Sequence, residues 1–135
     1  MADPIQDLWP DDIGTLPREK LPVTILREQA AFLGKRTQNR VEAEIVTASD
    51  WDTNIIVPGP AFVHRFILSA PMISNYRYEL LSVYHPATLY PLKIVFGDYV
   101  YDAASVEQLT EHLRRIFSSD TTRTIVGALV AQSAA

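Results

Sequence analysis

Apolar and polar residues alternate through the middle of the chain, which is the pattern of β-strands that bury one face. The stretch at residues 41–48 reads VEAEIVTA, and its first five residues alternate between apolar residues and glutamates. This alternation predicts a strand that is half buried in an antiparallel sheet. Glu42 and Glu44 then share the solvent-facing side, where we expect arginines of neighbouring strands, such as Arg65 or Arg77, as their partners.

Three more strands are predicted between Ala61 and Phe96. This stretch contains three runs rich in β-branched and aromatic residues, FVHRFILSA, NYRYELLSVYH and PLKIVF, and three prolines punctuate them: Pro71, Pro86 and Pro91. Gly97 and Asp98 can form a two-residue turn, so a short further strand is expected at residues 99–101.

Apolar residues at helical spacing flank this strand-rich region on both sides. A first helix begins at Leu21-Pro22, because proline suits the first helical position, and it carries a regular apolar stripe: Ile25, Leu26, Ala30 and Leu33. Near the other end, Ser105 and Gln108 form a capping-box pattern that opens a second helix. A polar break at residues 118–120 separates it from a last helix, predicted from Thr121 to about Gln132.

The order of these elements predicts an α+β fold. We expect an N-terminal helix, an antiparallel meander of four to five strands, and two C-terminal helices packed on one face of the sheet. Residues 20–135 are interpreted as a single α+β domain. Residues 1–19 are acidic and rich in proline, without periodicity, and are interpreted as a flexible N-terminal segment.

Length and composition agree with one globular domain. The chain has 135 residues, of which 47% are hydrophobic and 21% are charged, so it can bury a sizeable core. The net charge of −4 disfavours binding to nucleic acid, which usually requires a basic face.

Cysteine is absent from the sequence, which excludes disulfides, a thiolate nucleophile and cysteine-ligated metal sites. The N-terminus lacks the basic and apolar regions of a signal peptide, and no apolar run has the length of a membrane span. These observations predict a soluble cytoplasmic protein that does not contact a membrane.

Two parts of the sequence are candidates for contacts with other proteins. Trp9 is the largest apolar side chain of the acidic N-terminal segment, and aromatic side chains often anchor interfaces. The last helix is apolar almost all round, so it either lies within its own domain or pairs with a second chain. Its candidate interface residues are Ile125, Val126, Leu129 and Val130.

A second set of residues suggests a pocket between the sheet and the helices. His64 interrupts an apolar strand face between two phenylalanines, where a histidine with a local hydrogen bond is most common. Strict alternation places Tyr76, Tyr78 and Tyr84 on one face of the next strand, and these tyrosines could line a ligand groove together with His64.

The sequence contains no motif that assigns a reaction. No two of the three histidines have the spacing of a metal pair, and the nucleophile elbow, the dinucleotide fingerprint and the phosphate-binding loop are missing. We therefore predict no catalytic, cofactor-binding or metal-binding residues. The expected function is a non-catalytic protein-interaction module, either a homodimer or an accessory subunit of a larger complex. The alternative is a small-molecule binder or enzyme that uses the pocket near His64.

Overall fold

The structure is a computed structural model that describes residues 5–15, 20–50, 57 and 59–135. Residues 1–4 and 16–19, which belong to the predicted flexible segment, lie outside the described residues. The elements in chain order are α1 (Pro22–Arg36), β1 (Glu42–Asp50), β2 (Ala61–Ala70), β3 (Tyr76–His85), β4 (Leu92–Phe96), β5 (Tyr99–Ala103), α2 (Val106–Ser118) and α3 (Asp120–Ala134).

The five strands form one antiparallel sheet in which sequence neighbours are also spatial neighbours. The strand order is β1-β2-β3-β4-β5, and each adjacent pair is antiparallel. The predicted α+β fold is therefore confirmed, including the short fifth strand after the turn at Gly97, whose φ of 58° suits glycine.

Local sequence signals explain where the helices begin and end. Pro22 occupies the start of α1, and after its end Gln38 and Asn39 take positive φ values of 55° and 63°, which turn the chain toward β1. The predicted capping box opens α2: the Ser105 hydroxyl accepts from the Gln108 N–H at 3.2 Å, and the Gln108 side chain accepts from the Ala104 N–H at 2.7 Å.

The main core lies between the sheet and the helices. Ile45, Phe66 and Leu81 lie opposite one another across β1, β2 and β3, and the register therefore places all three on the helix-facing side. Phe66 and Leu81 are buried there together with Leu26 of α1 and Leu109 of α2. Helices from before and after the strands, α1 and α2, therefore both pack on this face of the sheet.

A β-bulge in β3 changes the face on which its side chains lie. Phe66 pairs with Leu81, whereas the next residue of β2 pairs with Glu79, so Leu80 is an extra residue. Tyr78 lies opposite Leu68 on the helix-facing side, but Tyr84 lies opposite Val63 on the other side. The prediction that Tyr76, Tyr78 and Tyr84 share one face is therefore wrong, because strict alternation does not cross a bulge.

The other side of the sheet carries paired charges. Glu44 forms an ion pair with Arg77, as the sequence predicted, and Arg65 pairs with Glu79 at 3.3 Å. These side chains are largely exposed, so each pair contributes at most about 1 kcal/mol to stability. Among the described residues, no helix combines the length and the hydrophobicity that crossing a membrane requires.

Candidate functional site

Two buried histidines meet on neighbouring strands at one end of the helix-facing side. His64 of β2 lies opposite Val83, two residues from His85 on β3, so the two imidazoles are diagonal neighbours. Their Nε2 atoms are 2.8 Å apart, and the residues are only 4% and 5% exposed. The hydroxyl of Thr47 on β1 lies 2.8 Å from the other ring nitrogen of His64.

For two neutral imidazoles, the neighbouring groups determine the direction of each hydrogen bond in this network. Nδ1 of His85 lies 2.7 Å from the carbonyl oxygen of Pro86, which can only accept, so this nitrogen donates. The Nε2 of a neutral His85 must then accept from the Nε2–H of His64, and the Nδ1 of His64 accepts from the Thr47 hydroxyl. In this tautomer assignment all four ring nitrogens are bonded.

The environment of His64 opposes its protonation. Burial is the largest cause, followed by the nearby charges of His85 and Arg27, and together they lower the pKa of His64 from 6.5 to about 4. A doubly protonated pair would also bring two N–H groups into contact across 2.8 Å. Burial and this contact therefore both favour the unprotonated form of His64.

A small cavity of about 310 Å³ opens beside this pair, and we call it the histidine pocket. Its polar lining consists of Thr47, His64, His85 and Arg27, and apolar residues complete the wall: Leu21, Pro22, Val23, Phe62 and Leu89. Thr47 is exposed, so its hydroxyl is accessible while it is bonded to a buried imidazole. Such a hydroxyl–imidazole–imidazole arrangement has the geometry of a nucleophile, a base and a group that orients the base.

A larger cavity of about 740 Å³ lies on the same side of the sheet, between α1 and the α2–α3 pair. Its floor is formed by side chains of β2 and β3: Phe66, Leu68 and Leu80. Helical residues line its sides, from Ile25 to Arg36 in α1, from Thr110 to Ser118 on α2, and from Thr122 to Gly127 on α3. This volume lies within the usual range of ligand pockets.

Three cations surround this larger cavity, which we call the arginine-rimmed cleft. They are Arg36, Arg114 and Arg123, one from each helix, and no acidic side chain among the described residues lines the cleft. Arg114 is held by Glu111 at 2.6 Å, whereas neither Arg36 nor Arg123 forms an ion pair within the described ranges. The cleft therefore combines an apolar floor with a positive rim.

The described part of the N-terminal segment, residues 5–15, exposes its large apolar side chains. Ile5, Leu8, Trp9 and Ile13 are between 60% and 95% exposed. The backbone is turned: the Ile13 N–H donates to the Pro10 carbonyl at 3.2 Å, and the Asp7 carboxylate accepts from the Trp9 N–H at 3.0 Å. The interaction candidate Trp9 therefore lies on an accessible segment with a turned backbone.

The other interaction candidates lie in α3 and pack largely on the core of their own chain. Leu129 is buried, and the remaining three are partly buried against the core: Ile125, Val126 and Val130. Of these residues, Val126 also lines the arginine-rimmed cleft. Most of the apolar side chains named on α3 are therefore at least partly buried against the core of their own chain.

The structure separates the four pocket candidates. His64 lines the histidine pocket, whereas Tyr76 and Tyr78 are exposed near the opposite end of the helix-facing side. Tyr84 lies on the other face of the sheet. The structure therefore brings none of the three tyrosines to His64.

Sequence reasoning did not identify Thr47, His85 and Arg27 as partners of His64. A signal for His85 existed, because residues on the two arms of a hairpin pair at roughly equal distances from its turn. The β2–β3 turn lies between Ala70 and Tyr76, and the added residue of the bulge sets the final register. Identifying Thr47 and Arg27 as partners requires knowing where β1 and α1 lie relative to His64, which no local sequence pattern indicates.

Comparison of this chain with protein-family models, with curated protein sequences and with solved structures found no match.

Proposed function

We propose that this protein is a non-catalytic protein-interaction module that binds an acidic peptide segment with large apolar side chains. The observation that carries the proposal is the arginine-rimmed cleft, an open apolar groove of about 740 Å³ with three arginines and no acidic side chain among its described lining residues. The chain as a whole is acidic, with a net charge of −4, so this positive rim is a local feature.

The apolar part of the cleft supports binding of bulky side chains. Phe66 and Leu68 are buried in its floor, while Phe32 at its α1 side is 52% exposed. Tyr78 lies opposite Leu68 and is also exposed, so the apolar surface extends past the cleft along β3. A partner that removes the exposed Phe32 and Tyr78 side chains from water gains free energy, whereas Phe66 and Leu68 are already buried.

The cationic rim supports selectivity for acidic partners. Arginine presents several donors in a fixed plane, which match a carboxylate in two parallel hydrogen bonds. Arg36 and Arg123 come from different helices and have no carboxylate partner within the described residues, so they are available to a ligand. Basic partners are disfavoured by the same charges.

A peptide-display selection on the full-length protein tests this proposal. We expect enrichment of peptides that combine aspartate or glutamate with large apolar residues. Arg36→Glu should weaken their binding at least about tenfold, because it removes one attractive charge and adds a repulsive one. Lys35→Glu is the matched control, since Lys35 lies in the same last turn of α1 but does not line the cleft.

Two outcomes of that selection would contradict the proposal. One is the absence of any enriched sequence, and the other is enrichment of peptides that bind the Arg36→Glu protein as tightly as the unmodified one. A circular dichroism spectrum and a urea unfolding curve for each variant establish that lost binding is not lost folding.

A second candidate function is acyl transfer at Thr47, and the hydrogen-bonded chain of Thr47, His64, His85 and the Pro86 carbonyl supports it. Thr47 Oγ1 would attack an ester carbonyl carbon while its proton moves to Nδ1 of His64, and the carbonyl electron pair would move to oxygen. Collapse of this intermediate breaks the ester C–O bond, and the leaving alkoxide takes the proton from His64. Water then repeats the sequence to release the acid.

Two further groups of the histidine pocket have roles in this candidate. Arg27 lines the pocket, and its positive charge would stabilise the negative charge that develops on the carbonyl oxygen. His85 accepts from His64 and orients it. The lowered pKa of His64, about 4, keeps its lone pair free at neutral pH but makes it a weak base, so slow turnover is expected.

An ester with a good leaving group, p-nitrophenyl acetate, tests this candidate. Acylation of Thr47, read by peptide mass spectrometry, should disappear in Thr47→Val, which keeps the shape of the side chain. Thr110→Val serves as the control, because Thr110 lies in the other cavity. Equal acylation in the Thr47→Val protein would exclude Thr47 as the nucleophile.

A further inference from the structure

The N-terminal segment at residues 5–15 has the chemistry that the arginine-rimmed cleft should bind. It exposes four large apolar side chains and carries Asp7, Asp11 and Asp12. No lysine or arginine occurs before Arg18. The cleft has the opposite character, with three arginines and no acidic residue in its described lining.

The segment is also partly organised for binding. Its backbone closes two turns, from Ile13 to Pro10 at 3.2 Å and from Thr15 to Asp12 at 3.0 Å, and the Asp7 side chain fixes the N–H of Trp9. A segment that is already turned loses less conformational entropy when it docks than an unstructured one. Trp9 offers the largest rigid apolar surface of the segment for contact with the exposed Phe32 at the edge of the cleft.

We infer that the arginine-rimmed cleft of one copy binds residues 5–15 of a second copy, including Trp9. The chain then forms a dimer in which each copy binds the N-terminal segment of the other. This inference rests on the proposed function and names its partner. Within a single chain Trp9 is 70% exposed rather than packed in its own cleft. Each copy carries both halves of the contact, and a twofold dimer forms that contact twice, which strengthens association.

Light scattering and sedimentation of the full-length protein over a range of concentrations test the inference. We expect a monomer–dimer equilibrium whose dissociation constant rises at least about tenfold in Trp9→Ala. Trp9 is exposed in the single chain, so this variant should fold normally.

Reversal of charge gives the sharper test. Arg36→Glu with Arg123→Glu should dissociate the dimer, and so should Asp11→Lys with Asp12→Lys. A chain that carries all four changes should dimerise again, because the charges of its cleft and of its N-terminal segment are again opposite in sign. Lys35→Glu, which alters a neighbouring charge outside the cleft, should leave the dimer intact.

A monomer at all concentrations overturns the inference, as does a dimer that survives Trp9→Ala or that charge restoration fails to recover. Suppose that the protein is a monomer and does not bind an added peptide of residues 1–15, but binds display-selected acidic peptides in an Arg36-dependent way. The inference then fails, and the proposed function stands. If neither kind of peptide binds, both fail.

Discussion

The two cavities lie on the same side of one sheet, and both are bordered by α1, yet they differ in how their polar groups are used. The first half of α1 supplies Arg27 to the histidine pocket, and the second half supplies Arg36 to the arginine-rimmed cleft. In the histidine pocket each buried ring nitrogen has a partner. In the cleft two arginines lack an ion pair within the described residues, and Phe32 at its edge is exposed.

This difference separates a polar network that the fold requires from a surface that the fold leaves available. A buried imidazole without hydrogen bonds is costly, so the chain of bonds around His64 contributes to stability whatever chemistry it supports. The exposed arginines of the cleft contribute little to stability. Changes in the two cavities should therefore affect different measurements, and the predictions below order these effects by size.

The largest effect is expected where the cleft meets the core. Phe66→Ala should lower the free energy of unfolding by about 3–5 kcal/mol, because Phe66 is buried and its loss leaves a cavity beneath the helices. Phe32→Ala, on the exposed edge of the same cleft, should change it by no more than about 0.5 kcal/mol. Urea unfolding measures both, and a similar loss in the two variants would contradict the division into floor and edge.

A smaller effect is expected from pH at the histidine pocket. The pKa of His64 is about 4 in the folded chain and 6.5 in its ordinary state, so the unfolded chain binds this proton first as the pH falls. The stability contributed by neutral His64 is therefore complete above pH 6.5 and is lost between pH 6.5 and 4, by up to about 3 kcal/mol. The groups that face this imidazole are His85 and the cation Arg27.

Urea unfolding at several pH values between 7 and 4 measures this loss. His64→Gln lowers stability at every pH but should reduce its slope with pH, since glutamine does not titrate. An unchanged slope in His64→Gln would show that other groups cause the pH dependence.

The smallest change in stability is expected at the rim of the cleft. Arg36→Glu and Lys35→Glu should each lower the free energy of unfolding by less than about 1 kcal/mol, because both remove a cation from the last turn of α1. The two variants should differ in peptide binding and in dimerisation instead. If Arg36→Glu were much less stable than Lys35→Glu, Arg36 would have a structural role and the cleft would not be a free surface.

Local patterns predicted much of the fold because they concern residues that are close in sequence. The alternation around Glu42 and Glu44, the proline at the start of α1 and the capping box at Ser105 each indicate an element without knowledge of the rest of the chain. The interaction candidate Trp9 rests on a similarly local signal, its isolated position in an acidic segment, and stays a prediction. The failure at Tyr84 has an equally local origin, since one added residue at Leu80 reverses the alternation that follows it.

The sequence by itself determined the order and type of the elements, because side-chain periodicity, turn residues and caps act over a few residues. Only the tertiary structure decided which side chains meet. The contact between His64 and His85 depends on the register of β2 and β3, and the neighbours Thr47 and Arg27 depend on where β1 and α1 lie. The three arginines of the cleft come from three helices whose relative positions are set by packing on the sheet. Both cavities therefore arise from long-range contacts, which periodicity along the chain does not record.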